Sequence, residues 1–254
     1  MTARVLHNGR VNIVPGMVEY YGESSGICMV NSQKISIGPY YTNLSDNGDK
    51  SFSANPNRQM YGAAIAIAAM GDTGDNQDTP EPGDVIWDCN YLLNSVAQTA
   101  VSEMDAQIYW APLIGGFAGP GSSKLAFFRD FVGNGNSVMG IVFVSGAHPY
   151  STYVDYDSQY SVNTTVGSSY ETVANGMVIE FLVGRGVLPT SAMSGGTTLF
   201  TLNTSGYNRV RCVYKATDGT TVTGGSATAT AQAVLGVSLR PANNVVVPNQ
   251  GRQL

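Results

Sequence analysis

Short apolar runs, many with a polar residue at every second position, recur along the whole chain and are separated by clusters of Gly, Asn, Asp, Ser and Pro. Successive side chains of an extended strand point to opposite faces, so a period of two marks a strand with one buried side. The clusters supply the positive φ values and local hydrogen bonds that turns need. The pattern predicts strands over 11–14, 27–30, 34–37, 63–70, 84–93, 107–110, 125–132, 138–144, 151–156, 160–165, 177–183, 197–202, 209–215 and 228–239. In one of them Val210, Cys212 and Tyr214 point one way and Arg209, Arg211 and Lys215 the other. In the last, Ala229, Ala231, Ala233, Leu235, Val237 and Leu239 are expected to line a buried face, opposite a polar face of Thr228, Thr230, Gln232, Val234 and Ser238. One short helix is expected over 94–105, capped by Asn94, with Val96, Ala97, Ala100, Val101 and Met104 inward.

Many strands without alternating helices require mostly antiparallel connections. At 254 residues the expected fold is all-β, an antiparallel β-sandwich. Its expected form is a jelly roll of about eight principal strands with long loops and at most one or two short helices. No internal repeat favours a propeller or β-helix. The expected organisation is an N-terminal extended arm over 1–20, a single sandwich domain over 21–240 and a C-terminal extended tail over 241–254.

Composition changes this picture in one respect. Charged residues make up 12% of the chain, about half the usual fraction for a soluble protein. The polar surface must therefore be built mainly from Ser, Thr, Asn, Gln, Gly and Tyr. A neutral surface suits burial against neighbouring copies, where an unpaired charge would have to be desolvated. The formal net charge is −5 and no Lys- or Arg-rich run occurs, so strong direct nucleic-acid binding is not expected. Residues 1–10 lack an apolar core, so no signal peptide is expected there. The most apolar stretch, 61–70, is too short for a membrane-spanning helix, and no membrane insertion is expected. Cys28, Cys89 and Cys212 sit among apolar neighbours and are expected to be reduced, buried thiols.

Several short motifs carry possible chemistry and fail on context. Gly22-Glu23-Ser24-Ser25-Gly26 matches a hydrolase nucleophile turn, but a strand, not a helix, is expected after it. Asp72-Thr73-Gly74 matches an aspartic-protease triplet without the second copy that a shared-proton pair needs. Asp72, Asp75, Asp78, Glu81 and Asp84 crowd one segment, but the spacing is not that of a calcium loop and Pro80 and Pro82 restrict wrapping. Asp155-Tyr156-Asp157 raises the same question more weakly. The Gly-rich stretch 115–121 has no lysine or helix start after it, so it is not a phosphate loop. No catalytic, cofactor-binding or metal residue is assigned, and no enzyme activity is expected. The 14 tyrosines, clustered at 20–21, 40–41 and 150–160, fit contact surfaces, where Tyr is enriched.

Low charge, dense strands, Gly- and Asn-rich loops and a final strand running into Val237-Ser238-Leu239-Arg240-Pro241 together resemble the coat proteins of small icosahedral viruses, particularly the picornavirus-like group. Asp84-Val85-Ile86-Trp87-Asp88, with a short helix expected soon after, is similar to the passages between jelly-roll strands in that group. The resemblance implies a capsid protein made in the host cytoplasm and located in the virion. Its partners would be copies of itself or other coat proteins, and a host receptor met through outward loops. The alternative is a trimeric fibre or spike protein that binds a receptor or glycan.

Overall fold

The computed structural model describes residues 2–7, 10–15, 19–22, 27–31, 34–45, 50–54, 63–71, 85–87, 91–92, 94–101, 104–113, 124–128, 137–148, 153–161, 164–203, 208–228, 232–243 and 245–248. These residues are all-β, and no helix occurs among them. The first strands are β1 (Thr2–His7), β2 (Arg10–Pro15), β3 (Glu19–Gly22), β4 (Ile27–Asn31), β5 (Ser36–Ser45), β6 (Lys50–Ala54) and β7 (Ala63–Gly71). There follow β8 (Val85–Trp87), β9 (Tyr91–Leu92), β10 (Asn94–Val101), β11 (Met104–Leu113), β12 (Lys124–Phe128), β13 (Ser137–Ser145) and β14 (Tyr153–Ser161). The last are β15 (Val166–Tyr170), β16 (Ala174–Arg185), β17 (Thr197–Asn203), β18 (Asn208–Asp218), β19 (Val222–Ala227), β20 (Gln232–Leu239) and β21 (Val245–Pro248).

Two five-stranded sheets build the centre, with orders β10-β11-β7-β13-β5 and β14-β20-β16-β18-β17. Both are antiparallel throughout. Between them lies the larger core. Ile108, Val142 and Val144 of the first sheet meet Ile179, Phe181, Val183, Cys212, Leu235 and Val237 of the second. Phe200 reaches across from β17, so close to Gly140 of β13 that a Cβ there would overlap its ring. On the opposite face of the second sheet lies the two-stranded ribbon β15–β19. Tyr170, Val222 and Ala227 of the ribbon pack with Val178, Leu182, Val213 and Val234 to form a second core. The second sheet is therefore the middle layer of three.

That layering corrects one expectation. β20 has no solvated polar face: all eight of its residues are buried. Ala233, Leu235, Val237 and Leu239 enter the first core and Val234 the second. A strand covered on both faces need not alternate. β18 keeps the expected alternation at Val210 and Cys212, which are fully buried, although Val213 is also buried, beneath the loop after β16.

The helix expected over 94–105 is not formed. β10 and β11 instead make a hairpin, from Asn94↔Trp110 to Val101↔Met104, and β11 pairs with β7 on its other side. The same apolar residues satisfy both spacings, and a run with two Val, a Thr and two Ser has little helix preference to oppose the ladder. The strand expected over 84–93 is divided into β8 and β9, paired with each other through Ile86↔Leu92. The strands expected at 151–156 and 160–165 run together as β14, whose polar middle is satisfied by hydrogen bonds to the ribbon side. Thr164 and Thr165 are outside any strand, and 151–152 and 162–163 lie outside the described residues.

A further sheet, β2-β1-β3-β4-β21, joins segments from both ends of the chain, with β1 and β3 parallel and the other pairs antiparallel. The remaining sheet is β6-β12-β8-β9. Chain beyond β20 is tied to the core, where Ala242 N–H donates to the Gly146 carbonyl at 2.7 Å and Ala242 is fully buried.

The ribbon contact sets a steric test. A Cβ on Gly236 would overlap the Tyr170 hydroxyl and lie 2.7 Å from ring carbon Cε1. Gly236→Ala is expected to destabilise the fold by about 1–3 kcal/mol, as overpacking does. Urea unfolding should show that loss, and the loss should shrink when the same change is made beside Tyr170→Ala. Equal losses in both backgrounds would show that the ring is not the obstacle.

Candidate functional site

The most unusual polar feature is Glu180, the only charged residue in the apolar run Met177-Val178-Ile179-Glu180-Phe181-Leu182-Val183. β16 turns Val178, Glu180 and Leu182 to the ribbon side, and Glu180 has no exposed surface. A buried carboxylate survives only if its lone pairs are satisfied. Here Oε2 accepts from Gly225 N–H at 2.8 Å, the Ser168 hydroxyl at 3.0 Å and the Tyr170 hydroxyl at 3.2 Å. Oε1 accepts from Met193 N–H at 3.1 Å. The four donors come from β19, β15 twice, and the loop between β16 and β17. One carboxylate thus ties the ribbon and that loop to the middle sheet.

Local sequence explains the approach. β15 alternates so that Ser168 and Tyr170 are buried while Gly167 and Ser169 are exposed. Gly224 and Gly225 bring backbone up to the carboxylate: a Cβ at Gly224 would overlap Ser168 Oγ and Glu180 Oε2. A Cβ at Gly225 would lie 2.6 Å from the Ser191 carbonyl and 2.8 Å from Leu182 Cδ2. Only glycine leaves room at both positions. Burial pushes the Glu180 pKa above its ordinary value, against the opposing pull of the Gly225, Ser168, Met193 and Tyr170 hydrogen bonds. Burial, then the neighbouring Glu180, holds the Tyr170 phenol well above its own. Cys212 is a free, fully buried thiol whose pKa is raised well above the ordinary value by burial and then by Glu180. Raised pKa and burial make it an inert packing group. The cluster is sealed from solvent and ties elements together.

The Asp155-Tyr156-Asp157 motif has a similar role. Asp155 Oδ2 accepts from Glu171 N–H at 2.8 Å and Asp157 Oδ2 from Ser169 N–H at 3.0 Å. Their other oxygens accept from Tyr156 N–H and the Gln159 amide, both at 2.9 Å. These carboxylates staple β14 to β15, which are not ladder partners. Among the described residues no group of three or more His, Cys, Asp or Glu side chains is placed to hold a metal ion.

The other side of β14 is the exposed one. Register pairs Tyr153 with Leu239, Tyr156 with Val237 and Tyr160 with Ala233, which puts the tyrosines on the face of the first core. β14 is the end strand of its sheet, so their rings extend past that core. They are 44%, 51% and 42% exposed. An irregularity between Tyr153 and Asp155 lets two of them share the face, with Tyr153 and Tyr156 edge to face at 5.9 Å between centroids. The tyrosine cluster singled out in the sequence is thus an aromatic row on an outer strand.

Of the other motifs, Gly22 ends β3, and residues 23–26, 72–84, 89 and 114–123 lie outside the described residues. Cys28 lies in β4 and His7 in β1. His148 stands where its backbone N–H donates to the Arg240 carbonyl at 2.8 Å, and burial, then the Arg240 charge, lowers its pKa. Sequence reasoning missed Glu180. The available signal was a lone carboxylate inside an apolar run, together with a Gly-Gly pair in a later strand.

No family model, curated protein or solved structure matches this chain. Its chemistry is therefore read from its own geometry.

Glu180 makes stability depend on pH with a definite sign. A carboxyl whose folded pKa lies above the unfolded value near 4.5 adds stability fully below that value and loses it as pH rises through the raised one. Wild type measured against Glu180→Gln should therefore lose relative stability over that rise, by chemical denaturation at several pH values. A difference that is flat with pH would show that the carboxyl does not titrate differently on folding. Glu180→Ala should be far worse, since each buried donor left without a partner costs roughly 1–3 kcal/mol.

Proposed function

We propose that the chain is a structural subunit of a viral capsid shell, which assembles with copies of itself or with sister coat proteins to enclose a genome. The observation that carries this reading is the row of Tyr153, Tyr156 and Tyr160 on the outer strand of a sheet covered on both faces. Half-exposed tyrosines present apolar area, a hydroxyl and few rotatable bonds, the properties enriched where proteins meet. The rigid layers behind them hold the row in place, so little ordering entropy is lost on contact. The low charged fraction of 12% supports the same reading, since neutral flanks are buried without stranding ions. In this reading the stacked sheets form a jelly roll, outward loops meet a host receptor, and terminal segments contribute to contacts between subunits. Contacts that are individually weak suffice, because a subunit in a lattice engages several at once.

The first test is the mass distribution of the full chain by light scattering after size exclusion, with negative-stain imaging of the largest fraction. Closed particles are the expected result. A stable trimer that binds glycan would replace the shell with a fibre or spike, in which the same tyrosines stack on sugar rings. A second test replaces the row by Tyr153→Ser, Tyr156→Ser and Tyr160→Ser together. The fold should persist, because these rings are outside the core, and assembly should weaken about tenfold or more, as loss of aromatic anchors does. Unchanged assembly would remove the row from the interface.

A further inference from the structure

The ribbon and the loop between β16 and β17 cover much of the ribbon side of the middle sheet, and leave part of the Arg209–Arg211 end of β18 exposed. On β18, Arg209, Arg211 and Lys215 point to that side, since register sets them opposite Gly184, Leu182 and Val178 of β16. On the outer strand β17, Thr201 is opposite Arg211 and Asn203 opposite Arg209. Thr198, Thr201 and Asn203 are exposed, and both arginines are partly so. Lys215 Nζ donates to the Ser194 carbonyl at 2.8 Å. No ion pair of Arg209 or Arg211 is found among the described residues. In a chain with 13 Lys and Arg in all, Arg209 and Arg211 make a cationic pair on this face beside the hydroxyl and amide groups of β17, with Lys215 set apart from them by the covered Val213.

The anionic counterpart lies elsewhere in the same sequence. Asp72, Asp75, Asp78, Glu81 and Asp84 fall within one short segment that contains no Lys or Arg, out of 18 carboxylates in the chain. We propose that the Arg209–Arg211 face docks the acidic segment 71–84 of a second copy of this chain. The proposal rests on the reading of the chain as an assembling subunit and names one of its contacts. Guanidinium groups suit carboxylates because two parallel N–H donors match the two oxygens. Residues two apart on a strand stand roughly 6.5–7 Å apart, so the two forks can take two different carboxylates of the acidic segment. Thr201 and Asn203 add neutral hydrogen bonds beside them. The contact is heterologous, with different surfaces on the two partners, the type that closes into rings or extends into lattices. A polynucleotide fits less well. Two or three cations release few counterions from phosphate, and a net charge of −5 opposes approach.

Binding of a labelled peptide of residues 71–84 to the full-length chain, followed by fluorescence anisotropy, tests the docking apart from any shell. The peptide should bind wild type, and binding should weaken at least about tenfold with Arg209→Gln and Arg211→Gln together. It should also weaken as salt rises from about 0.05 M to about 0.5 M. Arg209→Glu with Arg211→Glu should abolish binding and restore it for a peptide carrying Asp75→Lys and Asp78→Lys. Circular dichroism confirms that each variant is folded, and the Gln pair serves if the Glu pair is not. Equal binding by wild type and the Gln pair, or no rescue by a folded charge swap, overturns the proposal. So does displacement of the peptide by a single-stranded oligonucleotide of equal charge at lower concentration, which would assign the face to phosphate. If docking holds but no particles form, the shell reading fails alone. If particles form equally well from the Gln pair, the docking fails alone.

Discussion

Taking the Glu180 carboxylate out of water costs several kcal/mol unless donors replace the lost hydration. The chain supplies four, and each comes from a segment that must be brought to the middle sheet from elsewhere. The arrangement of that side of the molecule follows from this requirement. Ser168 and Tyr170 must face inward on β15, Gly224 and Gly225 must lack side chains, and the loop carrying Met193 must fold back over β16. Once the ribbon is seated, Tyr170 lies against Gly236 and the second core is shut from solvent. The apolar residues around it contribute area without direction. The carboxylate adds direction, because in this placement of ribbon and loop it accepts from all four donors at once.

A middle sheet enclosed on both sides has consequences at its rims. β14 and β17 are its outer strands, and each presents a different chemistry. β14 carries carboxylates inward to the ribbon and tyrosines outward. Beside β17, Arg209 and Arg211 stand with Thr201 and Asn203. One end of the sheet is aromatic, and the other has cations one strand in from its edge, in a chain with 12% charged residues.

The period-two runs made the all-β class legible, since a strand's alternation is a local property. The inward face of β18 and the strands β7, β13 and β16 were legible for the same reason. Three features were not. The hairpin of Asn94–Val101 with Met104–Leu113 depends on β7, whose ladder bonds come from far along the chain. β14 crosses a polar stretch that reads as a break, because its Asp155 and Asp157 are satisfied by the backbone N–H groups of Glu171, just after β15, and Ser169 within it. β20 is buried on both faces because the ribbon and the loop after β16 cover the side where Gln232 and Ser238 promised solvent, while Thr228, ahead of the strand, stays exposed.

The candidate sites divide in the same way. The tyrosines of 150–160 and the alternation of Arg209, Arg211 and Lys215 could be read from residue order alone, as could the low charged fraction. The place of β14 as an end strand and of β18 one strand in from β17 could not, since a strand's place in a sheet is set by its partners. Glu180 was visible as a letter in an apolar run, and its role was not. The amino-acid sequence by itself determined the strand content, the faces of the individual strands and the neutral surface, because these follow from the order of neighbouring side chains. Tertiary structure alone decided which strands are covered twice, which strands end each sheet among the described residues and where a buried carboxylate finds its donors. Those depend on pairing between segments distant along the chain, where burial and hydrogen bonding must be satisfied together.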